Sequence, residues 1–197
     1  MSAPDEKSHL KVVREETQGF SGNKYMILGI ITFIVIALDQ FTKILVHSSF
    51  DLGESVVIFE SFFNFTYVRN VGAAFGIFGN LPGPVRQVFF LTVPPLAVLL
   101  ILMILRSTPD KEKLQIYALS LVCGGALGNY VDRLRFGYVI DFLDFHLNEK
   151  YSWPAFNVAD ISIVTGVMIT ALFIFKPELS QSNNVKEDNL ADQKQES

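Results

Sequence analysis

Asp141, Asp144 and Asp160 lie in "RFGYVIDFLDFHLNEKYSWPAFNVADISIVTG", residues 135–166, a stretch dense in apolar side chains. Asp160 opens the last long apolar run of the chain. Acids at the edge of such runs are costly to place and usually functional. Two carboxylates in contrasting settings suit the activation of water. One must be ionised to take a proton, and the other protonated to hydrogen-bond the carbonyl under attack. Two carboxylates that share a site cannot easily both ionise, so they titrate as a coupled unit. Asp141 is flanked by apolar residues in "YVIDFLDF", with no lysine or arginine beside it, a setting that favours the neutral form. Asp160 stands in "NVAD", where Asn157 suits a helix N-cap and Asp160 the third helical position, so capping explains it as naturally as catalysis. Asp144 is nearer the polar "HLNEK" and reads as solvated. On residue types alone, the partner of Asp160 stays open among Asp132, Asp141 and Asp144.

Two further polar groups accompany apolar runs. Asp39 and Lys43 are four apart, on one helical face and within reach of an ion pair. Asn129, Asp132 and Arg133 close another run; Asn129 and Arg133 share a face, and Asp132 can pair with Arg133 or with a neighbour on the first run. The plain reading of both groups is anchoring and neutralisation, the sharper one contact with a substrate. Other chemistries fit less well. His9, His47 and His146 are scattered without zinc-ligand spacing, so no metal is expected. Neither a GxSxG elbow nor a phosphate-binding loop occurs. "GGALGN" (Gly124–Asn129) reads as close helix packing. The single cysteine, Cys123, lies in an apolar run and reads as a small buried residue. With net charge −4 and no basic patch interleaved with aromatics, nucleic acid is not an expected partner.

Half of the 197 residues are hydrophobic, and they are gathered into long runs with the charges pushed between and beyond them. That distribution marks a multi-pass membrane protein. Spans are expected at about 25–46, 88–105, 114–134 and 158–175, each near the roughly 17–25 residues a helix needs to cross hydrocarbon. Only helix satisfies the backbone of such runs in lipid. Pro94 and Pro95 are expected to kink the second span. Cations collect before the first span (Lys7, Lys11, Arg14, Lys24), between the second and third (Arg106, Lys111, Lys113) and after the fourth (Lys176, Lys186, Lys194). The positive-inside rule then makes both termini cytoplasmic and turns the segments at about 47–87 and 135–157 to the outer, periplasmic face. Residues 55–68, rich in β-branched and aromatic types, suit short strands, and 70–83 reads as a turn followed by a short helix or lid. Residues 1–23 and 177–197 are polar tails around a membrane domain at about 24–176, the second one expected to be disordered and neither a signal peptide. The expected fold is an all-α membrane protein of four transmembrane helices, with a small outward-facing β-sheet cradle and a short lid helix.

Five motifs now stand in order at the ends of these spans: "DQFTK" (Asp39–Lys43), "RNVGAAFG" (Arg69–Gly76), "GGALGNYVDRL" (Gly124–Leu134), "VIDFLDF" (Val139–Phe145) and "FNVADISI" (Phe156–Ile163). Together they resemble the bacterial lipoprotein signal peptidases, signal peptidase II, over about residues 25–175. The resemblance implies an aspartic peptidase of the bacterial inner membrane, working without metal or organic cofactor. It would cleave prolipoproteins just before a diacylglyceryl-modified cysteine. The catalytic acids it implies are Asp141 and Asp160. Asp39, Lys43, Asn70, Gly72, Asn129, Asp132, Arg133 and Asn157 would organise the site or bind substrate. The implied partners are the lipidated prolipoprotein signal peptide and membrane phospholipid, with the enzyme itself a monomer. Residues 55–68 look like the family's outward cradle and part of 70–85 like its lid. The long C-terminal tail is the one departure from the family pattern. Two rivals remain, a proton-coupled transporter and a non-enzymatic membrane protein. The first is disfavoured because no acid lies mid-span and no internal repeat is visible.

Overall fold

The computed structural model describes residues 22–72, 78, 82–148 and 151–175. The elements run α1 (Gly22–Ser49), β1 (Ser55–Phe59), β2 (Phe63–Asn70), α2 (Gly83–Ser107), α3 (Lys113–Phe136), β3 (Val139–Asn148), β4 (Tyr151–Ser152) and α4 (Val158–Phe175). Three helices, α1, α2 and α3, are long and apolar enough to cross a membrane; α4 is a shorter apolar helix. The first three run past their apolar stretches at both ends, because a helix continues into the polar boundary that a hydropathy window leaves out. Helix α2 is assigned without a break through Pro94 and Pro95. Of the stretch 70–85 where a lid is expected, residues 73–77 and 79–81 fall outside the described residues, as do nearly all of both tails.

Helix α3 is the hub, packing against α1, α2 and α4. Its glycines permit this. A Cβ on Gly125 would strike the backbone carbonyl of Ala159 on α4, and one on Gly128 would stand 2.7 Å from the Asp39 carboxylate on α1. The "GGALGN" cluster is thus a close-packing surface. An apolar core of Leu28, Ile101, Leu105, Ile116, Leu119 and Cys123 joins α1, α2 and α3 at one end. A second core, of Val46, Tyr67, Ile140 and Phe142, seats the sheet on the other end.

The sheet is antiparallel in the order β1-β2-β3-β4. Strand β1 pairs with β2 inside the stretch expected to hold strands. Strand β3 is an addition: the sequence assigns no element within 135–157, and Val139–Asn148 is a ten-residue strand there. Gly137 makes it possible. With φ at +76° it ends α3 in the left-handed conformation that glycine adopts without strain, and its N–H caps the Arg133 carbonyl. The chain therefore turns straight from α3 into β3 and brings Asp141 back over the helix ends.

Candidate active site

The site is built where α1, α3 and α4 end beneath β2 and β3. Its floor is ionic. Lys43 Nζ lies 2.8 Å from Asp39 and 3.0 Å from Asp132, and donates to Asn129 Oδ1 at 2.8 Å. Asp39, Lys43 and Asp132 are at most 1% exposed. Charges so deeply buried persist only when paired and fully hydrogen-bonded. Here they are. Asp39 also accepts the Ala159 N–H at 2.9 Å, and Asp132 accepts the Ile140 N–H at 3.1 Å. Gln40 donates to Asp132 at 2.8 Å. Among the described residues no buried side-chain nitrogen or oxygen lacks a partner. Asp132 takes the second of its two expected options, a partner on α1 rather than Arg133.

Two asparagines carry this floor up to the acids. Asn129 accepts from Lys43 through its oxygen and donates through Nδ2 to Asp160 at 2.8 Å. Asn157 donates to Asp141 at 2.6 Å and to Asn129 Oδ1 at 3.2 Å. Its own oxygen accepts the Asp160 N–H at 2.9 Å, and Asp160 accepts the Asn157 N–H at 3.3 Å. The last two bonds form a reciprocal capping box at the start of α4. Capping and site-building prove compatible: one Asp160 oxygen serves the cap, and the other faces Asn129.

Asp141 is 2% exposed. It accepts from Asn157 and, on its other oxygen, from Asn70 Nδ2 at 2.9 Å. Burial, helped by the nearby Asp160 charge, pushes Asp141 up to about 7; the amides of Asn70 and Asn157 and the more distant Lys43 pull only partly against that. Asn70 also turns the chain, accepting the Gly72 N–H at 2.9 Å. Arg133 holds that turn in place. It donates to the Gly72 carbonyl at 3.2 Å and lies over the Phe90 ring at 4.6 Å. Its other nitrogen reaches the Asn129 carbonyl at 3.4 Å.

Every residue that the family resemblance implies for the site therefore belongs to one connected network. Asp144 does not, and it is not simply solvated either. It accepts from the Thr66 hydroxyl at 2.8 Å and pairs with His146 at 3.2 Å, across the sheet from the site. Gln40 was missed. In sequence it only marks where the first apolar stretch turns polar, although it sits inside "DQFTK". Phe90, under Arg133, gave no signal at all. Among the described residues no group of three metal-type ligands occurs.

A family model described as signal peptidase (SPase) II matches residues 31–176. The chain belongs to the signal peptidase II family. The lipoprotein signal peptidase of Syntrophus aciditrophicus (strain SB) is 44% identical over 160 residues, covering 81% of this chain and 99% of the relative. The one from Geobacter metallireducens is 41% identical over 160 residues, 81% of this chain and 97% of its own. Two solved structures, both described as a bacterial membrane enzyme by the in meso method, at 2.3 and 1.9 Å resolution, align with TM-scores of 0.68 and 0.67 at 30% identity. They cover 80% of this chain and 90% and 95% of theirs. The resemblance read from five motifs is borne out. This signal peptidase II family member is a membrane peptidase, which sets aside both the transporter and the non-enzymatic reading.

Proposed function

We propose that this chain is an aspartic endopeptidase that removes signal peptides from diacylglyceryl-modified prolipoproteins, cutting just before the lipidated cysteine. The observation that carries this reading is that one residue, Asn157, joins the two acids: its side-chain amide donates to the Asp141 carboxylate and its backbone N–H to the Asp160 carboxylate. Asp141, with its proton held up to about neutral pH, hydrogen-bonds the scissile carbonyl. Asp160, at the positive end of the α4 dipole, takes the proton from water. Water adds to the carbonyl carbon, and charge gathering on the oxygen is met by the Asp141 proton. The proton taken by Asp160 then passes to the departing amine as the C–N bond breaks. Lys43, Asp39 and Asp132 hold the two asparagines in register. Asn70, Gly72 and Arg133 bring the end of β2 across the site, where an extended peptide would lie.

In this reading four helices cross the bacterial inner membrane, both termini are cytoplasmic, and the sheet and aspartates lie at the outer boundary. The substrate's acyl chains then stay in lipid while its scissile bond meets water. The enzyme acts as a monomer. The test is cleavage of a prolipoprotein, with and without diacylglyceryl, followed by gel shift for the parent, Asp141→Asn and Asp160→Asn. Cleavage of the lipidated form alone, lost in both folded variants, is expected. Cleavage persisting in either variant would sink the dyad.

A further inference from the structure

The outward segments contain few cations: Arg69, Arg86, Arg135 and Lys150. Arg69 and Arg135 meet in one aromatic cluster beside the aspartate network but outside it. Tyr67 Oη lies 2.6 Å from His47 Nδ1 and accepts from Arg69 Nε at 3.0 Å. The Arg69 guanidinium also lies 4.9 Å from the Tyr138 ring centre. Tyr138 stacks on Phe136, Phe136 tilts against His47, and the Arg135 guanidinium caps Phe136 at 4.9 Å. Guanidinium groups fixed on aromatic faces are pre-organised for bidentate contact with phosphate. Among the described residues no carboxylate pairs with Arg69, Arg135 or His47.

A cavity of about 300 Å³ opens beside this cluster, between the ends of α1 and α3 and strand β3. His47 and Arg135 border it, Ile44, Phe136 and Ile140 supply apolar wall, and part of the ionic floor, the Lys43–Asp132 pair included, lines it too. Ile44 and the neighbouring Phe41, Leu45 and Leu134 are exposed, so the cavity is continuous with a helix surface suited to acyl chains. Arg135 therefore stands at the border of a recess of mixed polar and apolar lining, with Arg69 in the adjoining aromatic cluster.

We infer that Arg69, His47 and Arg135 form a docking site for the phosphate of an anionic membrane phospholipid, whose glycerol and upper acyl carbons enter the adjoining cavity. The occupant is a resident lipid, not substrate, because a diacylglyceryl-cysteine carries no phosphate. Charge complementarity selects it: two guanidinium groups without acidic partners face the level at which lipid phosphates lie. The inference rests on the membrane orientation given above and not on the peptidase chemistry.

The test uses the full chain in nanodiscs of equimolar phosphatidylcholine and phosphatidylglycerol, released for native mass spectrometry. The parent is expected to retain one phosphatidylglycerol about tenfold in preference to phosphatidylcholine, a bias worth about 1.4 kcal/mol. Arg69→Gln/Arg135→Gln should lose that preference, and Arg69→Lys/Arg135→Lys should keep most of it. Should the double glutamine variant fail to fold, Arg135→Gln alone serves, since Arg135 is exposed and makes only a ring contact. Equal retention of the two lipids by the parent, or an undiminished preference in the glutamine variants, overturns the site. So does displacement of the lipid by inorganic phosphate, which would make the cluster a plain anion site. Retention is read without cleavage, so failure of the peptidase reading leaves this result interpretable.

Discussion

Asp141 and Asp144 stand three residues apart on the same strand and live in opposite surroundings. The pleat sends positions separated by an odd number to opposite faces. Asp141 faces down onto the helix ends, buried, with two amide donors and no cation in contact. Asp144 faces the other way, against a hydroxyl and an imidazole. The residue type is identical and so is the element. What sets Asp141 apart, and suits it to the chemistry proposed above, is the company of Asn70 at the end of β2 and Asn157 at the start of α4.

The largest effect should come from removing the support beneath Asp141. Lys43→Met leaves two buried carboxylates facing each other without their cation and should cost about 3–5 kcal/mol in detergent unfolding. Next comes the acid itself. Asp141→Asn should lower the cleavage rate at least ~10²-fold while the protein stays folded. The same variant has a stability signature. Asp141 is raised from 3.8 to about 7, so within that window the folded protein holds a proton that the unfolded chain has released. Its contribution to stability is therefore fully present below pH 3.8 and lost as pH rises through about 7. In Asp141→Asn that decline should flatten, as melting temperatures across the window would report. In the parent, cleavage should fall as pH rises above about 7, because the pair loses its shared proton.

Asn157→Ala should come third. It removes the α4 cap, worth about 1 kcal/mol, and should slow cleavage less than either aspartate variant does. Asp144→Asn should be smallest, with cleavage unchanged and stability altered by at most about 1 kcal/mol. A rate loss in Asp144→Asn matching that of Asp141→Asn would break the contrast between the two faces of β3.

The contrast also separates what a sequence displays from what it hides. The Asp39–Lys43 pair and the Asn157–Asp160 cap were legible, because both are set by spacings of four and three residues along one helix. The alternation that would have marked β3 is blurred in "VIDFLDF", where apolar residues occupy both faces. Without that strand, nothing in the chain distinguishes Asp141 from Asp144 except their neighbours. The bond from Lys43 to Asp132 joins two helices far apart in the chain, and no local pattern announces it. Gln40 stayed hidden for the same reason: its partners, Asp132 and the Gly128 carbonyl, lie on another helix.

The joints between Lys43 and the two candidate acids are the side-chain amides of Asn129 and Asn157. An amide can orient a neighbour, but unlike a hydroxyl, an imidazole or a water it does not readily pass a proton on. The Lys43 ammonium spends its hydrogens on Asp39, Asp132 and Asn129 and points them all the same way, toward acceptors. The network therefore stiffens the site without acting as a wire. In the reading proposed above, protons then reach Asp141 and Asp160 from the side on which water and peptide arrive, and six connected ionisable groups sit at the helix ends and on β3 without forming a proton path between them.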